Sequence, residues 1–216
     1  MAESRAGVGP QSIKAVLIVP VVLITMVAGG ALALVNAATV DRIAESKANE
    51  KKEALAAVMP AFANDPTTRA VPVDLDPDEN DGDELIFYAG TDAGGRITGW
   101  GVESRTDTAY SGHLSLVFGV DATGKVQSAR VLEQRETPGL GTKAAGDDFL
   151  DAYEGRSLGS FDFRVRKDGG QIDAISGATI SSRAVTLCIR QGLEEFGAVA
   201  AKGAPPESGG GGASDE

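Results

Sequence analysis

The residues with the clearest chemical potential form one segment near the C-terminal end, Asp173-Ala174-Ile175-Ser176-Gly177-Ala178-Thr179. Apolar residues recur behind it at three- and four-residue spacing, which predicts an amphipathic helix over residues 178–199. Its apolar face consists of Val185, Cys188, Ile189, Gly192, Leu193 and Phe196. The start of such a helix favours a phosphate, because its first N–H groups are unpaired and lie at the positive end of the dipole. The same pattern is also typical of a plain helix cap without a ligand, since Ser and Thr are common capping residues.

The composition narrows the classes of function. The formal net charge of -11 over 216 residues argues against nucleic-acid binding, which needs a basic face. The single cysteine, Cys188, excludes an intrachain disulfide and Cys-rich metal sites. The single histidine, His113, leaves a His-based zinc or haem site without further ligands.

A long apolar run near the N-terminus predicts a membrane anchor. Residues 15–38 are almost wholly apolar and suffice to cross the hydrocarbon core as one helix. Arg5 and Lys14 precede the run, so the positive-inside rule places residues 1–14 in the cytoplasm and the main domain outside it. This predicts a single-pass protein of a bacterial inner membrane with a periplasmic domain. A cleaved signal peptide is the alternative, because the small residues Ala37 and Ala38 suit a peptidase, but the length of the run favours a retained anchor.

The rest of the chain predicts one α+β domain on a stalk. Residues 39–60 are predicted to form an amphipathic stalk helix, residues 61–199 the domain, and residues 200–216 a flexible Gly-rich tail. Within the domain we expect an antiparallel sheet packed with helices. Strands are expected at residues 85–89, 96–103, 114–120, 125–133 and 161–166. A loop over 64–77, an acidic insertion over 74–84 and a short helix over 147–153 complete the prediction.

Three segments together resemble the FMN-binding domain family. Asp173 to Thr179 is similar to that family's flavinylation motif, which reads Asp, two variable residues, Ser or Thr, Gly, Ala and Thr. The second segment is the loop Glu136-Thr137-Pro138-Gly139-Leu140-Gly141, and the third is Ala109-Tyr110-Ser111-Gly112. With its anchor, the chain resembles the G subunits of Rnf-type electron-transport complexes over roughly residues 15–196.

The resemblance implies covalent FMN on Thr179, held by a phosphoester on the threonine hydroxyl. A FAD-dependent flavin transferase would transfer the FMN moiety and release AMP, since an unaided threonine hydroxyl is a poor nucleophile. The transferase's recognition sequence would comprise Asp173, Ser176, Gly177 and Ala178. The phosphate would meet the N–H groups of Ile180, Ser181 and Ser182 at the helix start.

The loop from Glu136 to Gly141 would form the wall against the isoalloxazine ring. Gly139 and Gly141 would admit the flat ring, Thr137 would hydrogen-bond its polar edge, and Leu140 would pack on its face. Lys143 either neutralises the flavin or phosphate or is a plain exposed lysine, and Arg183 has the same two interpretations. Trp100 is either a stacking partner or a core residue.

The implied function is electron transfer through FMN in a membrane complex that couples ferredoxin and NAD oxidoreduction to ion translocation. The implied partners are the other membrane, flavin and iron–sulfur subunits, and no independent substrate is expected. One alternative is the C subunit of the sodium-translocating NADH:quinone oxidoreductase, which shares the domain and the anchor. Another is a non-redox membrane-anchored binding module, in which Thr179 is only a helix cap.

Overall fold

The computed structural model describes residues 10–75 and 84–203. Most of the expected acidic insertion and most of the expected Gly-rich tail therefore lie outside the described residues. The chain divides into two compact units, residues 1–49 and residues 50–216.

Helix α1, Pro10–Val58, replaces the separate anchor and stalk helices that the sequence predicts. The helix is continuous at the expected junction, where the Thr39 hydroxyl donates to the Val35 carbonyl at 2.9 Å. Its segment Ile18–Val58 contains a fully exposed window with a mean hydropathy of 2.5 and is long and apolar enough to cross a membrane. Exposed apolar side chains of this kind match a helix surrounded by lipid.

The second unit is built on a five-stranded antiparallel sheet in which neighbours in sequence are neighbours in space. The strands are β1 (Ala70–Asp74), β2 (Glu84–Thr91), β3 (Ile97–Ala109), β4 (Gly112–Asp121) and β5 (Val126–Gln134). The predicted strands corresponding to β2, β3, β4 and β5 are confirmed. The loop prediction for residues 64–77 was wrong, because residues 70–74 pair with β2 as an edge strand. An edge strand tolerates Pro72, since one side of its backbone needs no ladder partner.

Helices cover both faces of the sheet within this second unit. Alternate residues of β4 face opposite sides, so Leu116 and Phe118 join one apolar cluster and Val117 joins the other. The last turns of α1 pack on the Val117 side through Leu55 and Val58.

The C-terminal helix, α3 (Thr179–Lys202), packs on the other face. Trp100 is only 2% exposed and meets Phe87 edge-on at 6.5 Å between ring centroids. The core interpretation of Trp100 is therefore the correct one.

Short helical segments connect β5 to α3. A 3₁₀ helix spans Gly141–Ala145, α2 spans Asp147–Leu150 and continues as 3₁₀ turn Asp151–Tyr153, and another 3₁₀ turn spans Arg166–Asp168. The predicted strand over residues 161–166 was wrong. Phe163 and Val165 are buried in alternation, but the segment forms only an isolated bridge from Val165 to Ile172.

Candidate functional site

The turn before α3 presents Thr179 as the first residue of the helix. Gly177 has a φ of 79°, a left-handed conformation that glycine adopts without strain. The Ser182 hydroxyl accepts from the Ile175 N–H and donates to the Ala178 carbonyl, each at 3.0 Å. The Ser182 N–H also donates to the Ala178 carbonyl at 3.0 Å. Ser182 is buried and therefore stabilises the contact between the turn and the helix. The sequence predicts that its N–H meets a phosphate, but this N–H is bonded to the Ala178 carbonyl instead.

A buried carboxylate joins the Glu136–Gly141 loop to the start of α3. Glu136 is 6% exposed, and its Oε2 accepts from the Ser181 hydroxyl at 2.9 Å. Its Oε1 accepts from the N–H of Ser111, in the turn between β3 and β4, at 3.2 Å. A Cβ atom at Gly141 would collide with Glu136 Oε2 and would lie 2.8 Å from Ser181 Oγ. Glycine is thus required at position 141 because the loop backbone passes directly over this contact.

These segments enclose a cavity of about 470 Å³. It brings together most of the site residues that the sequence predicts. The predicted site residues that line the cavity are Glu136, Thr137, Leu140, Gly141, Gly177, Ala178, Thr179, Ile180 and Ser181. The cavity also contains Tyr110 and Lys167, neither of which is among the predicted site residues.

The cavity carries an unusual share of exposed apolar surface. In the part of residues 50–203 that the structure describes, the exposed large apolar side chains are Tyr110, Leu140, Leu158 and Ile180. All but Leu158 line this cavity. Apolar side chains converging around a few polar groups are typical of a small-molecule site.

Charged side chains from the 3₁₀ turn Arg166–Asp168 approach the other side of Thr179. Lys167 Nζ donates to Thr179 Oγ1 at 2.9 Å. Asp168 accepts two hydrogen bonds from Arg183, at 2.7 and 2.6 Å. These bonds lower the pKa of the Asp168 carboxyl and raise the pKa of the Arg183 guanidinium. Arg183 is therefore engaged by Asp168 and does not line the cavity.

Five predicted site residues lie outside the lining of the cavity. Asp173 is mostly exposed and forms an ion pair with Arg166 at 2.6 Å, and Ser176 is exposed. Gly139 sits in the loop turn, where its N–H donates to the Thr142 hydroxyl at 3.0 Å. Lys143 is exposed, while Ser182 is buried in the turn contacts described above. The plain-lysine interpretation of Lys143 is the one that its position fits.

Lys167 lines the cavity and contacts Thr179, but the sequence did not predict it as a site residue. It precedes Thr179 by twelve residues, and no local spacing rule connects a 3₁₀ turn with the start of a later helix. Tyr110 could have been predicted from the sequence, because it lies in one of the three segments that resemble the FMN-binding domain family. Among the described residues, no group of three or more His, Cys, Asp or Glu side chains is placed to hold a metal ion.

Comparisons with known proteins identify the family to which the chain belongs. The model of the FMN-binding domain family matches residues 109–194, which include the loop and Thr179. The chain is 39% identical to the G subunit of an ion-translocating oxidoreductase complex from Cereibacter sphaeroides, over 81% of this chain and 80% of that protein. It is 32% identical to the corresponding G subunit from Methanosarcina acetivorans, over 82% of this chain and 92% of that protein.

The fold also has a solved counterpart. NqrC from Shewanella oneidensis matches with a TM-score of 0.50 at 16% identity, over 72% of this chain and all of that one. This likeness concerns the fold, whereas the sequence identities to the G subunits extend along most of the chain. The protein belongs to the family of G subunits of ion-translocating oxidoreductase complexes.

Proposed function

We propose that this protein transfers electrons within a membrane-bound ion-translocating complex through FMN attached covalently to Thr179. The observation that carries the proposal is the position of the Thr179 hydroxyl on the lining of the cavity, 2.9 Å from a lysine ammonium. The match to the FMN-binding domain family and the relatives among the G subunits support the identity of the cofactor.

The residues present suit FMN at both of its ends. A volume of about 470 Å³ lies within the usual range for small-ligand sites. Tyr110, Leu140 and Ile180 offer apolar surface to a flat ring. At the other end, a phosphate on Thr179 would meet Lys167 and the first N–H groups of α3. When bound, FMN supplies reversible one- and two-electron transfer.

The attachment is a phosphoryl-type transfer without oxidation or reduction. Thr179 Oγ1 forms a bond to the phosphorus on the FMN side of the FAD pyrophosphate. The bond from that phosphorus to the bridging oxygen breaks, and AMP leaves with that oxygen. The hydroxyl proton passes to a base of the flavin transferase, because a threonine hydroxyl needs such activation.

We also propose the setting in which the protein works. Helix α1 anchors it in a bacterial inner membrane, with the FMN domain on the periplasmic side, because Arg5 and Lys14 flank the apolar run on the opposite side. The complex couples ferredoxin and NAD oxidoreduction to ion movement, and the flavin exchanges electrons with its other flavin and iron–sulfur subunits.

Intact-mass measurement of the full-length chain tests the covalent link. The chain is co-produced with a FAD-dependent flavin transferase, and denaturing gels are viewed under ultraviolet light. We expect the wild type to gain one FMN moiety less one water and to give a fluorescent band. Thr179→Val should abolish both signals, whereas the matched control Thr123→Val, in the β4–β5 turn, should retain them. Unmodified wild-type protein, or modification of Thr179→Val, would overturn the proposal.

A further inference from the structure

Three consecutive residues of the 3₁₀ turn Arg166–Asp168 each contact a different point of the segment around Thr179. Arg166 Nε lies 2.6 Å from Asp173 Oδ1, at the start of the motif. Lys167 Nζ donates to Thr179 Oγ1 at 2.9 Å. Asp168 accepts from Arg183, one turn into α3, at 2.7 and 2.6 Å. The turn is therefore fixed against the motif on both sides of Lys167.

Lys167 differs from its basic neighbours in the partner it has. Arg164 contacts Asp162 at 2.6 Å, and Arg190 lies 3.6 Å from Glu194. Like Arg166 and Arg183, each of these arginines forms an ion pair with a carboxylate. In the described contacts around the start of α3, Lys167 is instead bonded to a hydroxyl. Its charge also acts on Asp168 at a distance, but Arg183 pairs with that carboxylate, so the ammonium of Lys167 can act on an anion that arrives at Thr179.

The other charges in and around the cavity explain why a positive charge at Lys167 matters. A phosphodiester on Thr179 would carry a negative charge into a cavity that already holds the Glu136 carboxylate. Asp168 and Asp173 are also near, but each is matched by an arginine. Lys167 is the lining cation, and an ammonium acts on a phosphate as a compact point charge. It can therefore compensate the added charge at the atom where the new bond forms.

We infer that Lys167 is a positioning residue for flavinylation, an inference that rests on the proposed function. Its ammonium holds the Thr179 oxygen toward the cavity before transfer and faces the phosphate oxygens during and after transfer. Lys167 keeps its proton throughout, and the hydroxyl proton leaves to the transferase base. The flanking pairs, Arg166 with Asp173 and Asp168 with Arg183, hold the turn in the position that this requires.

The test is the rate of flavinylation of the full-length protein with purified transferase and FAD, followed by intact mass. Lys167→Met should lower the turnover number by roughly 10- to 100-fold, the range expected for losing a hydrogen bond to a charged group. Lys167→Arg should restore the rate to within about threefold of wild type, because the positive charge is kept. The matched control Lys125→Met, in the β4–β5 turn, should behave as wild type.

Two further measurements separate positioning from other roles. The unfolding temperature of the unmodified protein should be the same for Lys167→Met and wild type, since Lys167 is exposed. The KM for the protein substrate should also stay unchanged. A rise in KM alone would make Lys167 a docking contact of the transferase and overturn the inference. A wild-type rate in Lys167→Met, with Thr179 modified, would overturn it as well. Absence of modification in the wild type would instead refute the proposed function beneath it.

Discussion

Replacing Glu136 tests whether one buried carboxylate holds the cavity together. Its two oxygens accept from the Ser181 hydroxyl on α3 and from the Ser111 N–H in the β3–β4 turn. Glu136→Ala removes both acceptors and leaves space beneath Gly141. Glu136→Gln keeps the shape, because its amide oxygen can accept from Ser111 while its amino group donates to the Ser181 oxygen. The two variants should therefore differ sharply in stability.

The burial of each partner sets the size of the effect. Ser181 is 1% exposed, so an unpaired hydroxyl there costs about 1–3 kcal/mol. Ser111 is exposed, so water replaces the lost acceptor and adds only roughly 0.5 kcal/mol. Glu136→Ala should thus lower the free energy of unfolding by about 2–3 kcal/mol, and Glu136→Gln by less than about 1 kcal/mol.

Urea unfolding of the unmodified full-length protein in detergent measures both losses. Trp100 is the only tryptophan and is buried in the sheet core, so its fluorescence reports unfolding of this unit. The double-mutant cycle of Glu136→Ala with Ser181→Ala should give a coupling of about 1–2 kcal/mol. Glu154→Ala, at an exposed site, is the matched control. Equal losses for Glu136→Ala and Glu136→Gln, or a coupling near zero, would refute the reasoning.

The remaining predictions concern the loop, the nearby lysine and the ion pair beside the cavity. Gly141→Ala should destabilise the protein by about 1–3 kcal/mol through overpacking, visible as a lower urea midpoint together with slower flavinylation. Lys143→Met should leave the flavinylation rate within about twofold of wild type, as expected for an exposed site; a larger loss in the mass assay would place Lys143 in the site after all. The bonds from Arg183 hold the folded-state pKa of Asp168 below its ordinary value of 3.8. Their stabilisation is therefore present above that value and is lost as pH falls through the folded pKa. Asp168→Asn should weaken the acid dependence of the unfolding temperature, and an unchanged acid dependence would contradict this.

The sheet was largely predictable because its strands carry local signals. The turn between β4 and β5 is an example, since Asp121 Oδ1 accepts from the N–H groups of Thr123 and Lys125 at 2.8 and 3.1 Å. Strand β1 carried too weak a signal, because only Val71 and Val73 alternate between exposed neighbours and Pro72 suggests a loop.

Residues 161–166 show the opposite error, because a strand was predicted where the structure forms only an isolated bridge. Phe163 packs against Tyr153, with ring centroids 6.2 Å apart, so an extended segment is buried on alternate residues. Alternation reports burial of one side of an extended chain, and pairing with a neighbouring strand is a separate condition that periodicity does not encode.

The parts of the candidate site that could be predicted are likewise those that depend on local conformation. Segments that form their own turns, such as the one around Gly177, were found because the motif and the local conformation coincide. Lys167 was missed because its contact with Thr179 depends on how two separate segments pack. The two interpretations of Lys143 could not be separated from the sequence, because its exposure depends on the 3₁₀ helix from Gly141, which buries Ala144 completely and leaves the adjacent lysine exposed. Side-chain direction in such a short helix depends on packing that the sequence pattern does not contain.

The proposed covalent link also accounts for a feature of the cavity that would otherwise count against a flavin site. Tyr110 is 67% exposed, and Leu140 and Ile180 are each 46% exposed, so these side chains would cover only part of a ring. Free FMN would gain little from such partial burial, because binding must first offset the loss of its translational and rotational freedom. A tether on Thr179 converts that encounter into an intramolecular one with a high effective concentration, so weak ring contacts are enough. The same exposure would leave a ring edge open to a partner in the complex, which an electron-transfer protein requires.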